Sequence, residues 1–388
     1  MADKKTKLAL TGGAAAAEAL KQINPEVMAV YPITPQTPII ETYAKFGADG
    51  EVTTEIIQVE SEHSAISACV GASAAGVRTV TATSSQGLAL MNEILYIASG
   101  LRLPILMVVS ARALSAPINI HGDHSDVMGA RDAGWIQIFS ENPQEVYDNI
   151  FIGQKLAEEA RLPVMVIMDG FNTSHSVENL EIIDTKTVRE WLGEYQAPIS
   201  LLDMNKPVTF GALALQNSYF EFKIDQEKAM EEAKEKFKAI CADFWKISGH
   251  PKNYFETYDT SGADTILIVS GSAAGTAKDA IDGMRKKGKK VGLLKVNLFR
   301  PFPAKEIYEA IKSAKNIAVL DRALSIGTMP PLYSEITRTL YENALKKIPV
   351  ASFVYGLGGR DIFRKDIKKV VEELENNKGS SSSINYLT

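Results

Sequence analysis

The sequence predicts an α/β protein built on doubly wound parallel sheets. Short runs rich in Val and Ile alternate with longer stretches of helical periodicity, which is typical of sheets that helices cover on both faces. This alternation occurs twice, once before residue 198 and again after residue 257. A chain of 388 residues is long enough for two such domains, each with its own core. We therefore expect domains over 1–255 and 256–375, followed by a loosely ordered tail over 376–388.

The elements of the first domain follow from the apolar runs in chain order. Strands are predicted over 27–31, 56–59, 79–83, 105–110 and 163–168. Helices are predicted over 14–22, 62–75, 88–99 and 143–160. Four of the strands run into polar or Gly/Pro-rich loops. Because ligands gather at the carboxyl ends of parallel strands, we expect the functional residues in these loops.

A charged segment separates the two domains, and a second α/β pattern follows it. Residues 225–247 combine many charges with apolar residues at helical spacing, which predicts an amphipathic connecting helix. Later strands are predicted over 265–269, 291–295, 316–320 and 350–355. Later helices are predicted over 273–287, 305–314, 329–345 and 365–375. The serine run 380–383 gives the tail its low complexity.

The composition excludes several classes of protein. A net charge of −5 and the absence of a dense Lys/Arg tract argue against a nucleic-acid surface. The longest apolar runs are far shorter than the roughly 20 residues of a membrane-spanning helix, and no secretory leader is recognisable. Cys69 and Cys241 stand alone, which rules out a disulfide framework and a four-thiolate iron–sulfur site within this chain. We expect a cytoplasmic protein that binds neither nucleic acid nor membrane.

Three glycine-rich turns raise the question of nucleotide binding. They span 11–14, 271–275 and 356–359, each after a predicted or short strand. None has the GxGxxG spacing with an acidic residue about 20 positions later, and none has the GxxxxGK[ST] pattern. Tight strand-to-helix turns need glycine for backbone reasons alone. We expect a structural role for all three, which disfavours a nicotinamide dehydrogenase.

Two loops of the first domain place single polar side chains at strand ends. The loop 31–37, Tyr-Pro-Ile-Thr-Pro-Gln-Thr, is fixed by two prolines, which orients the Thr34 hydroxyl and the amides near it. Glu62 lies where a strand meets a helix that is rich in Ala, Ser and Gly. Such small side chains permit the close approach of another backbone or of a flat cofactor. The alternative for Glu62 is an ordinary carboxylate stabilised by the helix dipole.

Two further loops add hydroxyl, basic and acidic groups. The strand exit 81–87, Thr-Ala-Thr-Ser-Ser-Gln-Gly, is rich in hydroxyls. Arg112 ends an apolar strand, and a guanidinium there needs an anionic partner to offset its desolvation. A substrate carboxylate is one candidate partner, and Asp123 or Asp126 in the loop 122–126 are the others. The Asp and His residues of that loop lack the spacing of a zinc site, so no metal is expected.

Taken in order, these segments resemble the alpha subunits of pyruvate:ferredoxin oxidoreductases, in the 2-oxoacid:ferredoxin oxidoreductase family. The resemblance covers nearly the whole chain up to about residue 375. It rests on several long motifs in one order, which are Tyr31-Pro32-Ile33-Thr34-Pro35, Val59-Glu60-Ser61-Glu62-His63-Ser64, Thr81-Ala82-Thr83-Ser84-Ser85-Gln86-Gly87-Leu88, Ala111-Arg112-Ala113-Leu114-Ser115-Ala116-Pro117, Gly122-Asp123-His124-Ser125-Asp126, Leu298-Phe299-Arg300-Pro301-Phe302-Pro303, Leu320-Asp321-Arg322 and Gly356-Leu357-Gly358-Gly359-Arg360-Asp361.

The resemblance implies a fold and roles for individual residues. The first domain would be the pyrimidine-binding half of a thiamine diphosphate site, and the second, smaller domain would resemble the transketolase C-terminal domain. Glu62 would hydrogen-bond the aminopyrimidine ring of the cofactor. Arg112 and Thr34 would hold the carboxylate of the substrate. The remaining cofactor contacts would come from Pro32, Ile33, Ser85 and Gln86.

The implied reaction is the reversible oxidative decarboxylation of pyruvate with coenzyme A to acetyl-CoA, carbon dioxide and reduced ferredoxin. The chain lacks the Gly-Asp-Gly motif that binds the diphosphate and its magnesium in thiamine enzymes. By this resemblance, a beta subunit would complete the thiamine site. A ferredoxin-like delta subunit would carry iron–sulfur clusters, and a gamma subunit would complete the complex.

Alternatives remain for the substrate and for the class of function. His121 stands where the family pattern leads us to expect a large aromatic residue, in the same loop as Asp123, so both are candidate specificity residues. The change at His121 is either neutral or adapts the pocket to a branched-chain, aryl or dicarboxylic 2-oxoacid, such as phenylglyoxylate, 2-oxoglutarate or oxalate. Two other interpretations are a non-catalytic scaffold subunit and a thiamine enzyme without clusters, of the transketolase or dehydrogenase type.

Overall fold

The structure is a computed structural model that describes residues 6–343, 348–376 and 383–388. Its strands in chain order are β1 Thr6–Thr11, β2 Val27–Val30, β3 Glu55–Gln58, β4 Thr79–Thr83, β5 Ile105–Ala111, β6 Ile136–Phe139, β7 Val164–Asp169, β8 Val177–Ile182, β9 Phe255–Tyr258, β10 Thr265–Val269, β11 Val291–Val296, β12 Leu298–Arg300, β13 Asn316–Asp321, β14 Val350–Val354 and β15 Ile384–Tyr386. Its helices are α1 Gly12–Ile23, α2 Thr37–Ala48, α3 Glu62–Ala74, α4 Ser85–Leu90, α5 Asn92–Gly100, α6 Ser125–Gly129, α7 Pro143–Ala160, α8 Thr185–Leu192, α9 Tyr219–Ser248, α10 Ala273–Arg285, α11 Ala304–Ile311, α12 Pro331–Asn343 and α13 Arg364–Glu375. Among these described helices, none combines the length and the apolarity needed to cross a membrane.

The first sheet has seven strands in the order β12-β6-β7-β5-β4-β2-β3. Neighbouring strands are parallel except β12, which runs antiparallel to β6. Strands β4, β5 and β7 are buried along their whole length, which explains their continuous runs of apolar and β-branched residues. Helices α1, α2 and α7 cover one face, and α3, α4 and α5 cover the other. The predicted doubly wound α/β fold is confirmed.

The second sheet has six strands in the order β15-β14-β13-β10-β11-β9. They are parallel except β9, which is antiparallel to β11. Helices α10 and α13 pack on one face in a separate apolar core. The other face shares one continuous core with the α3–α6 side of the first sheet. The two sheets are therefore held together by apolar packing as well as by the chain.

The chain crosses back to the first sheet after β11. Strand β12 pairs with β6, and the Phe299 ring packs edge-on against Phe139 with 6.0 Å between centroids. The backbone N–H groups of Asn297 and Leu298 both donate to the carbonyl of Tyr254. The segment 298–300, which the sequence places in the second domain, thus extends the first sheet.

The connecting helix predicted over 225–247 is present and longer, as α9. Its buried positions recur at helical spacing and include Ala229, Ala233, Phe237, Ile240 and Phe244. The Phe244 ring lies 6.0 Å from that of Phe151 on α7 and 5.1 Å from that of Trp191 on α8. The apolar face of α9 therefore packs on the first domain, as its amphipathic pattern predicts.

The tail differs from its prediction in the part that is described. Residues 377–382, with most of the serine run, lie outside the described residues. Strand β15 pairs in parallel with β14, and Asn385 Nδ2 donates to the carbonyl of Ser352 at 3.0 Å. This short edge strand is held by backbone pairing, which a polar composition does not reveal.

Candidate functional site

Glu62 is a buried carboxylate without a partner among the described residues. It is the first residue of α3, whose N-cap is Ser61, and only 6% of it is exposed. No described side chain or amide donates a hydrogen bond to it. A Cβ on Gly87 would lie 2.6 Å from Glu62 Oε1 and 2.5 Å from Thr83 Oγ1, so any side chain at residue 87 would have to displace one of these two groups. Burying a carboxylate without a hydrogen-bond donor costs free energy, so a ligand that donates a hydrogen bond to Glu62 would be favoured here.

Hydroxyl groups at the end of β4 are also unpaired. Thr83 Oγ1 and Ser84 Oγ are buried and have no hydrogen-bond partner within the described parts of the chain. Native proteins pair nearly all buried polar atoms, so orphans of this kind indicate a place for a polar ligand or ordered water. Together with Glu62, they form a polar wall at the carboxyl edge of the first sheet.

Ser85 opens α4 in a strained conformation. Its φ of 48° lies in the left-handed region, which residues other than glycine seldom adopt. Its N–H donates to Asp126 Oδ2 at 2.8 Å, and its Oγ lies 2.5 Å from the carbonyl of Ala113 and 2.6 Å from Gln86 Oε1. Strain of this type persists only where the surroundings hold it.

Arg112 is a buried cation without a carboxylate partner. It is 6% exposed, and its Nε donates to the carbonyl of Asn119 at 2.8 Å. Its Nη1 donates to the carbonyl of Thr34 at 2.9 Å, while Nη2 has no acceptor within the described chain. Burial lowers the pKa of this guanidinium, and nearby Asp126 only partly offsets the effect. The free Nη2 is suited to an anionic ligand.

The two internal partners considered for Arg112 are engaged elsewhere. Asp126 accepts the backbone N–H groups of Arg112, Ser85 and Val127. Burial, aided by the nearby charge of Asp123, raises the pKa of Asp126 to about 7, although the three amides act in the opposite direction. Asp123 accepts from the amide and hydroxyl of Ser125 and from the amide of Gly358. Neither carboxylate pairs with the guanidinium, which favours the substrate interpretation.

Hydrogen bonds attach the loop that holds Thr34 to strand β4 and to Arg112. Gln36 accepts the N–H of Ile33 at 3.3 Å and donates to the carbonyl of Ala82 at 3.1 Å. Thr34 itself is exposed, and its carbonyl binds Arg112. Pro32 is exposed and Ile33 half-buried at the same edge. The structure thus brings Thr34 and Arg112 together, as the strand-end argument predicts.

His121 lies at the rim of this region and touches the second domain. It is exposed, and its ring lies 5.0 Å from that of Phe171 in a tilted arrangement. Its N–H donates to Asn119 Oδ1 at 2.7 Å. A Cβ on Gly359 would collide with His121 Cβ, so the turn 356–359 needs glycine to pack here.

A buried ionic cluster that sequence reasoning missed joins the two sheets beside Arg112. Asp169, in register with Ala111, binds His124 Nε2 at 2.6 Å and Arg322 Nη1 at 2.7 Å. The amide and hydroxyl of Ser272 also donate to it. Burial would raise the pKa of Asp169, but His124 and Arg322 hold it far below its usual range. The sequence signals were indirect, since His124 and Arg322 each belong to one of the family motifs.

Protein atoms pack closely against glycines of the first two glycine-rich turns. The N–H groups of Gly12 and Gly13 donate to the carbonyls of Thr173 and Ser174 at 3.1 and 3.0 Å. A Cβ on Gly271 would lie 2.8 Å from the Asp169 carboxylate. Glycine is therefore needed for close packing at residues 12, 13 and 271. The structural role expected for all three turns stays a prediction.

Three clustered carboxylates elsewhere surround a lysine. Atoms of Glu141, Glu145 and Glu256 lie within 4.8 Å of one another, close enough to hold a cation. The ammonium of Lys295, which is 1% exposed, lies 2.6, 2.8 and 2.7 Å from these three groups. Burial would raise the pKa of Glu145, but Lys252 and Lys295 lower it to about 2. The lysine therefore takes the place that a metal ion would need.

The chain matches two family models in order. Residues 18–241 match the thiamine diphosphate-binding domain of pyruvate flavodoxin/ferredoxin oxidoreductases, and residues 263–367 match core domain II of pyruvate:ferredoxin oxidoreductase. Pyruvate synthase subunit PorA of Thermotoga maritima is 49% identical over 98% of this chain and 97% of that subunit. Ketoisovalerate oxidoreductase subunit VorA of Pyrococcus horikoshii is 43% identical over 95% of this chain and 94% of that subunit.

A solved structure shares the fold. The 2-oxoglutarate:ferredoxin oxidoreductase of Magnetococcus marinus superposes with a TM-score of 0.73 at 22% identity, covering 95% of this chain and 65% of that chain. The matched models and the near full-length identities confirm the resemblance carried by the sequence motifs. The chain belongs to the pyruvate:ferredoxin oxidoreductase family, as an enzyme subunit with a thiamine diphosphate-binding domain.

Proposed function

We propose that this chain acts within a 2-oxoacid:ferredoxin oxidoreductase that converts pyruvate and coenzyme A to acetyl-CoA, carbon dioxide and reduced ferredoxin, reversibly. The observation that carries the proposal is the buried Arg112 guanidinium, which has a free Nη2 and no carboxylate partner in the described chain. A substrate carboxylate bound there would supply the missing charge. The 45–49% identity to pyruvate synthase subunits from several organisms supports pyruvate as that substrate.

The residues around Glu62 fit the aminopyrimidine ring of thiamine diphosphate. The unpaired carboxylate and the orphan hydroxyl of Thr83 offer hydrogen-bonding groups, and Gly87 leaves space that any side chain would fill. When bound, thiamine diphosphate supplies the reactive carbon and the electron sink for decarboxylation. Glu62 would bind a ring nitrogen and hold a proton there. Pro32, Ile33, Ser85 and Gln86 would line the same edge of the site.

The remaining parts of the enzyme would come from partner chains. Since the sequence has no Gly-Asp-Gly motif, a beta subunit would bind the diphosphate and magnesium. Cys69 and Cys241 are both buried and far apart in sequence, so clusters would reside on a ferredoxin-like delta subunit. A gamma subunit and a ferredoxin or equivalent acceptor complete the proposed cytoplasmic complex. The division of this chain at residue 255 belongs to the same proposal.

A second candidate substrate is a branched-chain 2-oxoacid. The 43% identity to ketoisovalerate oxidoreductase subunits supports it, and the exposed His121 beside Asp123 would then act on specificity. We give it second place because the pyruvate synthase subunits are more similar over the same length.

The test is a substrate panel on the purified complex, with a viologen as electron acceptor. Pyruvate, 2-oxoisovalerate, 2-oxoglutarate and phenylglyoxylate are compared by kcat/KM in the presence of coenzyme A. We expect pyruvate to be the preferred substrate, and preference for another acid would refute that assignment.

Two further measurements test the class of enzyme. Iron and sulfide must co-purify with the complex, because a complex without iron would exclude ferredoxin chemistry. Binding of thiamine diphosphate by the complex, but by neither subunit alone, separates a shared site from a scaffold role.

A further inference from the structure

Asp126 links two strand ends through a single oxygen atom. Its Oδ2 accepts the N–H of Ser85 at 2.8 Å and the N–H of Arg112 at 2.9 Å, while Oδ1 accepts from Val127 at 2.7 Å. Asp126 is 3% exposed and belongs to the short helix α6, which is a separate element from β4 and β5. Its side chain touches neither Glu62 nor the Arg112 guanidinium by a hydrogen bond.

The two bound amides belong to different halves of the proposed site. Arg112 directly follows β5, and its guanidinium is the group proposed above to bind the substrate carboxylate. Ser85 follows β4 and begins α4, whose third residue, Gly87, lies against Glu62. Strands β4 and β5 are parallel neighbours in register. The spacing between the cofactor side and the substrate side is therefore set where Asp126 joins the two strand ends.

The strained backbone of Ser85 depends on its hydrogen bond to Asp126. A φ of 48° is unfavourable for a residue other than glycine, so hydrogen bonds such as those to Asp126 and to the carbonyl of Ala113 must hold it. If the turn relaxed to a negative φ, the first turn of α4 would be redirected. Gly87 would then leave its close contact with Glu62.

We propose that Asp126 is a positioning residue, which sets the distance between the Glu62 side and the Arg112 side of the active site by bridging the amides of Ser85 and Arg112. This inference rests on the function proposed above. It assigns Asp126 no contact with substrate or cofactor. Its effect is exerted through the backbone of the two loops.

The chain provides a matched control at Asp321. This carboxylate is also 3% exposed and accepts two backbone amides, those of Leu332 at 2.8 Å and Tyr333 at 3.1 Å. It supports the start of α12 in the second domain and makes no hydrogen bond to either site loop. Asp321→Ala therefore removes the same kind of bonds without the proposed positioning effect.

The experiment compares Asp126→Ala, Asp126→Asn and Asp321→Ala in the assembled complex. We expect Asp126→Ala to raise the KM for pyruvate and lower kcat, reducing kcat/KM by roughly 10- to 100-fold, as for misplaced catalytic groups. The KM for coenzyme A should stay unchanged. Asp126→Asn keeps an oxygen for the amides of Ser85 and Arg112 and loses only the acceptor for Val127, so its activity should stay within about threefold of wild type. Asp321→Ala should also stay within about threefold.

A second readout does not depend on turnover. Hydrogen–deuterium exchange of the cofactor-free complex should be faster in Asp126→Ala for peptides that contain Ser85 and Arg112, and unchanged there in Asp321→Ala. If Asp126→Ala fails to assemble, Asp126→Glu replaces it, because the extra methylene displaces the oxygen while keeping the charge. Unchanged exchange and kcat/KM in the assembled variant, or equal losses in Asp321→Ala, would overturn the proposal. A wild-type complex inactive on every 2-oxoacid, with the exchange pattern as expected, would instead refute the proposed function.

Discussion

Glu62 Oε1 lies 2.6 Å from the point where a Cβ on Gly87 would stand, and Thr83 Oγ1 lies 2.5 Å from the same point. A buried carboxylate at the start of α3 thus reaches the end of β4 only because residue 87 has no side chain. This packing joins two loops that are separate in sequence into one wall of the proposed cofactor site.

Gly87→Ala should therefore disable the site although alanine is the better helix former. The added methyl group must displace Glu62 or Thr83, and we expect a loss of about 10²-fold in kcat/KM for pyruvate. Gly283→Ala, in α10 with open space around its Cβ position, is the control and should stabilise the chain by about 0.5–1 kcal/mol. Equal activity in both variants, measured by viologen reduction, would contradict the packing at Gly87.

Arg112→Lys should weaken substrate binding while the complex still assembles. Lysine keeps the charge but cannot donate to the carbonyls of Thr34 and Asn119 and still present a free planar group. We expect the KM for pyruvate to rise at least about 10-fold, with the KM for coenzyme A unchanged. Arg285→Lys, on the surface of α10, serves as the matched control. An unchanged KM in Arg112→Lys would show that the substrate carboxylate binds elsewhere.

The sequence predicts the fold class well because the central strands are buried on both faces. Runs of apolar and β-branched residues mark β4, β5, β7 and β10 plainly. The short strands β6, β9, β12 and β15 escape the pattern, since strands of three or four residues are fixed by tertiary pairing. Of these, β9, β12 and β15 are edge strands, while β6 lies between β12 and β7. The boundary at residue 255 stays a prediction, and so does the cytoplasmic location.

The sequence predicts which loops form the site, but not which residues form ion pairs and hydrogen bonds within it. The strand-end rule brings out Thr34, Glu62 and Arg112, which the fold places along one sheet edge. It does not predict that Asp169 would bind Arg322, because those residues are 153 positions apart and neither periodicity nor composition encodes their contact. The alternatives for Arg112 likewise stay open until the partners of Asp123 and Asp126 are known.

Lys295→Met should strongly destabilise the chain. The substitution removes the buried cation that contacts all three of Glu141, Glu145 and Glu256, and leaves Lys278 on two of them and Lys252 on the third. Removing one partner from such a buried cluster costs about 3–5 kcal/mol. Lys315→Met, which breaks an exposed pair with Asp264, should cost less than about 1 kcal/mol. Urea unfolding of both variants decides the matter, and similar midpoints would contradict the buried cluster.

The stability of the Asp321→Asn variant, relative to that of the wild type, should increase as the pH rises. Burial raises the pKa of Asp321 from 3.8 to about 7, so the folded chain holds a proton that the unfolded chain has lost. The wild type therefore loses stability between about pH 4 and pH 7, by at most about 1.4 kcal/mol per pH unit, and the loss is complete above the folded pKa. Thermal unfolding at pH 5, 6, 7 and 8 measures the difference between variant and wild type. A constant difference across this range would exclude the raised pKa.

The central claim is that this chain contributes Glu62 to a thiamine site shared with a partner subunit. Its most direct test is the turnover of pyruvate by the assembled complex that carries Glu62→Gln, with Glu55→Gln on the exposed edge strand β3 as control. We expect a loss of about 10²-fold or more in kcat for Glu62→Gln, as for a removed acid–base group, and no change for the control. Near wild-type turnover in a Glu62→Gln complex that contains thiamine diphosphate would contradict the account.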